Sequence, residues 1–122
     1  MGTCYPRIPG ERESNSDNTS GKPATRATSA GSLLGTAGVA VNTWTHLAGT
    51  YDGATLRLYV NGVQISSRAQ TGAMTVSTSP LQIGGDSVYG QYFQGTIDEI
   101  RVHNRALGAA EIQQDMNTAI TP

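Results

Sequence analysis

Two turn dipeptides, Asp52-Gly53 and Asn61-Gly62, bracket the run Thr55-Leu56-Arg57-Leu58-Tyr59-Val60. That arrangement admits little except antiparallel strands joined by tight turns. The run alternates apolar and polar side chains with the period of two that a half-buried strand requires. Leu56, Leu58 and Val60 then face a core, and Thr55, Arg57 and Tyr59 face outward. Asn61-Gly62 suits a type I′ turn, whose two central residues both take positive φ. The chain returns as Val63-Gln64-Ile65-Ser66-Ser67-Arg68, with Val63 and Ile65 inward.

The same reading extends in both directions. In residues 44–51, Trp44, His46, Ala48 and Thr50 share one face, and Thr45, Leu47, Gly49 and Tyr51 the other. Both faces carry apolar groups, which predicts a central strand; Trp44 reads as a core residue, with a ligand contact as the alternative. Residues 33–41 are apolar but broken by glycine, a weak strand. Residues 74–76 and 81–84 read as short strands, with Leu81 and Ile83 inward, and residues 85–91 as a polar loop holding Tyr89. In a last strand over 96–103, Asp98, Ile100 and Val102 share one face and Ile97, Glu99, Arg101 and His103 the other. A short helix over 106–116 docks through Leu107, Ile112 and Met116.

Short strands separated by turn signals predict an all-β antiparallel sandwich or jelly roll with a short C-terminal helix. Composition agrees: Gly is abundant at 15 residues, and charged residues make up only 14% of the chain. At 122 residues there is room for one domain. A net charge of −1 gives no basic footprint for nucleic acid. No apolar run is long enough to insert in a bilayer, and the N-terminal residues lack the apolar segment of a signal peptide. The single Cys4 offers no internal disulfide, and one Cys with two His makes no zinc set. Residues 1–31 are interrupted by Pro6, Pro9 and Pro23, and residues 11–22 contain no apolar side chain. They read as an irregular or disordered leader, from which one short piece pairs at a sheet edge in the alternative reading. The domain proper then spans 32–122.

Residues 41–117 resemble the C-terminal half of a laminin G-like domain of the concanavalin A-like lectin/glucanase superfamily. The segments that carry the resemblance are Asn42-Thr43-Trp44-Thr45-His46-Leu47-Ala48, Thr50-Tyr51-Asp52-Gly53 and Val60-Asn61-Gly62, then Leu81-Gln82-Ile83-Gly84-Gly85, Gly95-Thr96-Ile97-Asp98-Glu99-Ile100-Arg101-Val102 and Asn104-Arg105-Ala106-Leu107. Their shared order makes the match specific. The resemblance implies a two-sheet jelly roll in an extracellular or cell-surface protein, one that binds sugars or other proteins and in many cases holds calcium. It also implies strands before Trp44 that the polar leader does not supply. The domain is therefore expected to be truncated on its N-terminal side, and to self-associate as a homo-oligomer that completes its sandwich.

Candidate ligand contacts are Tyr89 and Tyr92, which with Phe93 cluster around one loop, and Arg57 and Tyr59 on the outer face of the best strand. Aromatic faces stack on sugar rings, although Phe93 and one Tyr serve equally as a cap on the core edge. The resemblance makes Asp98 the candidate calcium ligand, with a hydrogen bond or ion pair to Arg105 or a loop amide as the structural alternative. Calcium needs six to eight oxygens. Asp98 and Glu99, adjacent on one strand, point to opposite faces and cannot flank one glycosidic bond, so a glucanase mechanism is not expected. The expected function is non-catalytic binding of carbohydrate or a protein surface, with a structural, self-assembling module as the alternative.

Overall fold

The computed structural model of the chain describes residues 22–76, 78, 83–86, 91–93 and 95–121. The strands are β1 (Ala24–Thr25), β2 (Leu33–Leu34), β3 (Leu47–Tyr51), β4 (Thr55–Val60), β5 (Val63–Ala69), β6 (Gly85–Asp86) and β7 (Gln91–Tyr92); the helix is α1 (Ala109–Asn117). All pairings are antiparallel: β1 with β2, β3–β4–β5 in sequence order, and β6 with β7.

The three-stranded sheet forms where alternation and turn chemistry agree. Tyr51 pairs with Leu56 around Asp52-Gly53, and Val60 pairs with Val63 around Asn61-Gly62. Asn61 and Gly62 both take positive φ, 50° and 77°, as a type I′ turn requires. On one face, Tyr51, Leu56 and Leu58 pack with Ala27 and Leu33, supported by Ile65 and Met74. The β1–β2 hairpin lies over this face, so close that a Cβ at Gly49 would collide with the Thr25 side chain. Leu56, only 1% exposed, sits at the centre. The strand Ala24–Thr25 lies within the stretch read as a leader and pairs with β2 in a two-stranded sheet.

The opposite face of the sheet meets α1. Ala48 and Tyr59, paired across β3 and β4, pack against Leu107 and Ile112. Here the sequence reading needs correction. Tyr59 does not face solvent: it is 3% exposed. The helix covers the side of the sheet that alternation alone would assign to water, and a register shift at Leu58/Tyr59 marks the site. Gly62 lies beneath the helix as well, near the Gln113 and Met116 side chains, and Gln113 Nε2 donates to Gly62 O at 3.2 Å.

Further expectations change. Trp44 is not core but 66% exposed, because β3 begins only at Leu47 and the segment before it turns outward. Val63 and Ile83 are exposed rather than inward. The predicted last strand over 96–103 reduces to a single bridge residue at Val102; Glu99, at φ 56°, interrupts the extended backbone. Residues 85–91, read as a loop, begin and end in the paired strands β6 and β7. The helix starts at Ala109 rather than 106. Glu111 at its third position accepts the Gly108 N–H at 2.8 Å, which fixes that start.

Candidate binding surface

Three places carry polar or aromatic groups of the kind that recognise ligands. The first is the β6–β7 hairpin. Gly85 pairs with Tyr92 and Asp86 with Gln91, and Phe93 N–H donates to Gly84 O at 2.7 Å just beyond. Phe93 is half-buried. Tyr92 lies on the returning strand, and Tyr89, in the segment the two strands bracket, falls outside the described residues.

The second is the β3–β4 turn. Asp52 Oδ1 accepts Ala54 N–H at 2.9 Å and Thr55 N–H at 2.7 Å, and Oδ2 accepts Arg57 Nη1 at 2.8 Å. These bonds, the one from Arg57 first, hold the Asp52 carboxyl well below the usual aspartate range. Arg57 thus has a structural partner and is only partly exposed. Opposite it in register stands Thr50, 1% exposed, whose hydroxyl has no hydrogen-bond partner among the described residues.

The third is a charged cluster at the C-terminal end of α1. Arg101 Nη1 donates to Asp115 O at 2.5 Å, and Nη2 donates to Thr118 O. Its guanidinium therefore caps carbonyls that the helix leaves unsatisfied and complements the negative end of the helix dipole. His103 Nε2 lies 2.9 Å from Asp115 Oδ2. Glu99 Oε2 accepts Ile120 N–H at 2.6 Å and lies 3.6 Å from Arg101 Nη2. Burial, and then the charge of Arg101, push the His46 imidazole below its ordinary pKa. At the other end of the helix, Arg105 grips Glu111 through two bonds of 3.0 and 2.6 Å. The Arg105 bonds, then the Gly108 N–H, lower the Glu111 carboxyl to about 2.

The structure therefore brings only part of the predicted site residues to the surface. Arg57 stays half-exposed beside Asp52, and Tyr59 moves into the core. Asp98 is exposed, not interior, and its Oδ1 accepts the N–H of Glu99 at 2.8 Å. Arg105 pairs with Glu111 instead of Asp98. Among the described residues no three His, Cys, Asp or Glu side chains gather as a metal site. The strand that was to separate Asp98 from Glu99 is broken at Glu99. The two carboxylates nevertheless engage different partners, a backbone amide for one and Ile120 with Arg101 for the other. Sequence reasoning missed the cluster around Arg101, although it placed Glu99, Arg101 and His103 on one side. The missing signal was Asp115, whose place depends on how the helix docks.

Comparison with known proteins fits this architecture. The sequence profile described as the concanavalin A-like lectin/glucanases superfamily, of laminin G type, matches residues 11–113. Pappalysin-1 from Mus musculus is 38% identical over 80 residues, covering 62% of this chain and 5% of its own length. Pappalysin-1 from Homo sapiens is 36% identical over the same extent of 80 residues. The chain thus spans about one-twentieth of these relatives, 5% in each case. Among solved structures, a candidate carbohydrate-binding protein from Bacteroides ovatus superimposes with a TM-score of 0.65 at 19% identity, over 93% of this chain and 40% of the other. That likeness is one of fold. Among the described residues no helix is long and apolar enough to cross a membrane.

Proposed function

This chain belongs to the concanavalin A-like lectin/glucanases superfamily, and from that premise we propose that it is a non-catalytic module that binds carbohydrate as part of a secreted or cell-surface protein. The observation that carries the reading is the β6–β7 hairpin. Its two strand pairs bracket the segment containing Tyr89 and bring Tyr92 and the half-buried Phe93 to its base. Aromatic residues on and beside such a hairpin suit stacking on sugar rings, the reading proposed for Tyr89 and Tyr92. Arg57, fixed by Asp52, is the proposed contact outside the hairpin. The separate engagements of Asp98 and Glu99 support a binding role over hydrolysis, since glycoside cleavage needs two carboxylates converging on one bond. The exposed Asp98 is the proposed calcium contact, with backbone and amide oxygens able to complete the shell.

A printed glycan array tests the reading. We expect sugar-dependent signal that drops in Tyr89→Ala and Tyr92→Ala. A flat array with folded protein would sink it.

A second reading rests on one observation. Among the described residues β5 forms the edge of the three-stranded sheet and opens with Val63, 59% exposed. Open edges recruit further strands, so the module also serves homo-oligomeric assembly. Light scattering at micromolar protein decides this reading, and a monomeric mass rejects it.

A further inference from the structure

We propose that Trp44 is a stacking platform for a pyranose ring, a contact that rests on the carbohydrate reading above and adds to it a residue that sequence periodicity assigns to the core. A tryptophan is rarely left this open, at 66% exposure, because its rings forfeit a large apolar burial. The turn that presents it is tightly fixed. Asn42 adopts φ 53°. The Thr43 hydroxyl donates to Val41 O at 3.2 Å, and the hydroxyl of the buried Thr45 donates to Thr43 O at 3.3 Å. Just beyond, His46 N–H donates to Asn61 Oδ1 at 2.9 Å, and Asn61 N–H donates to His46 O at 2.8 Å. Trp44 is therefore an aromatic side chain on a segment pinned on both sides, with little backbone entropy left to lose on binding.

The chemistry around it favours a sugar over a protein surface. Its chain neighbours are Thr43 and Thr45, and Asn61, tied to the same turn, is exposed with its Oδ1 engaged and its NH2 as the remaining donor group. An exposed ring, with the exposed Thr43 and Asn61 tied to the same turn, suits a ligand with one apolar face and a polar rim. A protein contact calls for a contiguous apolar patch of several hundred Å², and Val41 is the exposed large aliphatic residue beside Trp44 in the chain.

Trp44 is the single tryptophan of the chain, so its emission reports this site alone. The experiment titrates the protein with the free oligosaccharide that gives the strongest glycan-array signal, following Trp44 fluorescence and calorimetric affinity together. We expect a saturable change in emission, an affinity loss of roughly fivefold to tenfold in Trp44→Ala, and a smaller loss in Trp44→Phe, which keeps a ring. Circular dichroism of both variants checks that they fold. Binding that leaves the emission unchanged, with Trp44→Phe and Trp44→Ala at wild-type affinity, overturns the Trp44 assignment and leaves the carbohydrate reading standing. No array signal from wild-type protein overturns both. Emission that shifts with protein concentration in the absence of sugar also overturns the assignment, since Trp44 would then be covered by a second copy.

Discussion

The Arg57 guanidinium donates to Asp52 Oδ2 at 2.8 Å, while Oδ1 of the same carboxylate accepts the backbone N–H groups of Ala54 and Thr55. One side chain thereby shapes the β3–β4 turn and orients the cation beside it. The Asp52 pKa is depressed in the folded protein, so the stability it contributes is present above its unfolded value and is lost as pH falls through the acidic range. Asp52→Asn keeps an oxygen for the two amides but loses the charge. We expect it to lower the melting temperature by a few degrees at pH 7 and to flatten the acid limb of a stability–pH curve. An unchanged acid limb would show that the carboxylate has no role in the turn.

Tyr59 gives a sharper test of the layered packing. Its ring fills the space between Ala48, Leu107 and Ile112. Tyr59→Ala should cost about 3–5 kcal/mol, the range for removing a large buried ring, read from urea unfolding. Tyr59→Phe should cost far less, because the ring remains. If Tyr59→Ala instead left stability intact and weakened glycan binding, the residue would be a surface contact as its place in the alternation first implied.

At Gly49 the close approach of Thr25 leaves no room for a methyl group. Gly49→Ala should destabilise by about 1–3 kcal/mol through overpacking, and the double variant Gly49→Ala with Thr25→Ala should recover much of that loss. Thermal melts of the two single variants and the double form a cycle that checks whether β1 lies on the sheet. A double variant no more stable than Gly49→Ala would argue against it.

His46 supplies the pH dependence near neutrality. Its folded pKa lies below the ordinary histidine value, chiefly through burial and then through Arg101, with Asp115 acting in the opposite sense. A depressed pKa means that the unfolded chain takes up the proton first. The stability contributed is therefore complete above about pH 6.5 and declines as pH falls toward the folded value. We expect chemical denaturation midpoints to decrease between about pH 7.5 and pH 5.5, with a shallower decrease in His46→Gln. The same decrease in the variant would move the responsibility to another group.

Much of the central sheet was legible from local chemistry. Asp52-Gly53 and Asn61-Gly62 dictate turns because Gly53, Asn61 and Gly62 accept positive φ. The alternation of Leu56 and Leu58 selects the face that packs on β1 and β2. The helix was legible too, through Glu111 at its start and Ile112 on its docking stripe. The candidate surface was less so. Period-two reasoning assumes one wet and one dry face, and it put Tyr59 in water because it could not see a helix arriving from fifty residues downstream to cover that face. It put Trp44 in the core because it could not see that the strand begins only at Leu47. Asp98 and Glu99 depended on a strand that the positive φ of Glu99 interrupts.

The amino-acid sequence by itself determined the antiparallel hairpins, the type I′ turn and the family, because these depend on residues close together in the chain and on the backbone angles that Gly and Asn allow. Only the tertiary structure decided which aromatic residues are buried, as Tyr59 is, and which are exposed, as Trp44 is. That outcome depends on which distant segment covers each face of the sheet, and a local pattern carries no record of it.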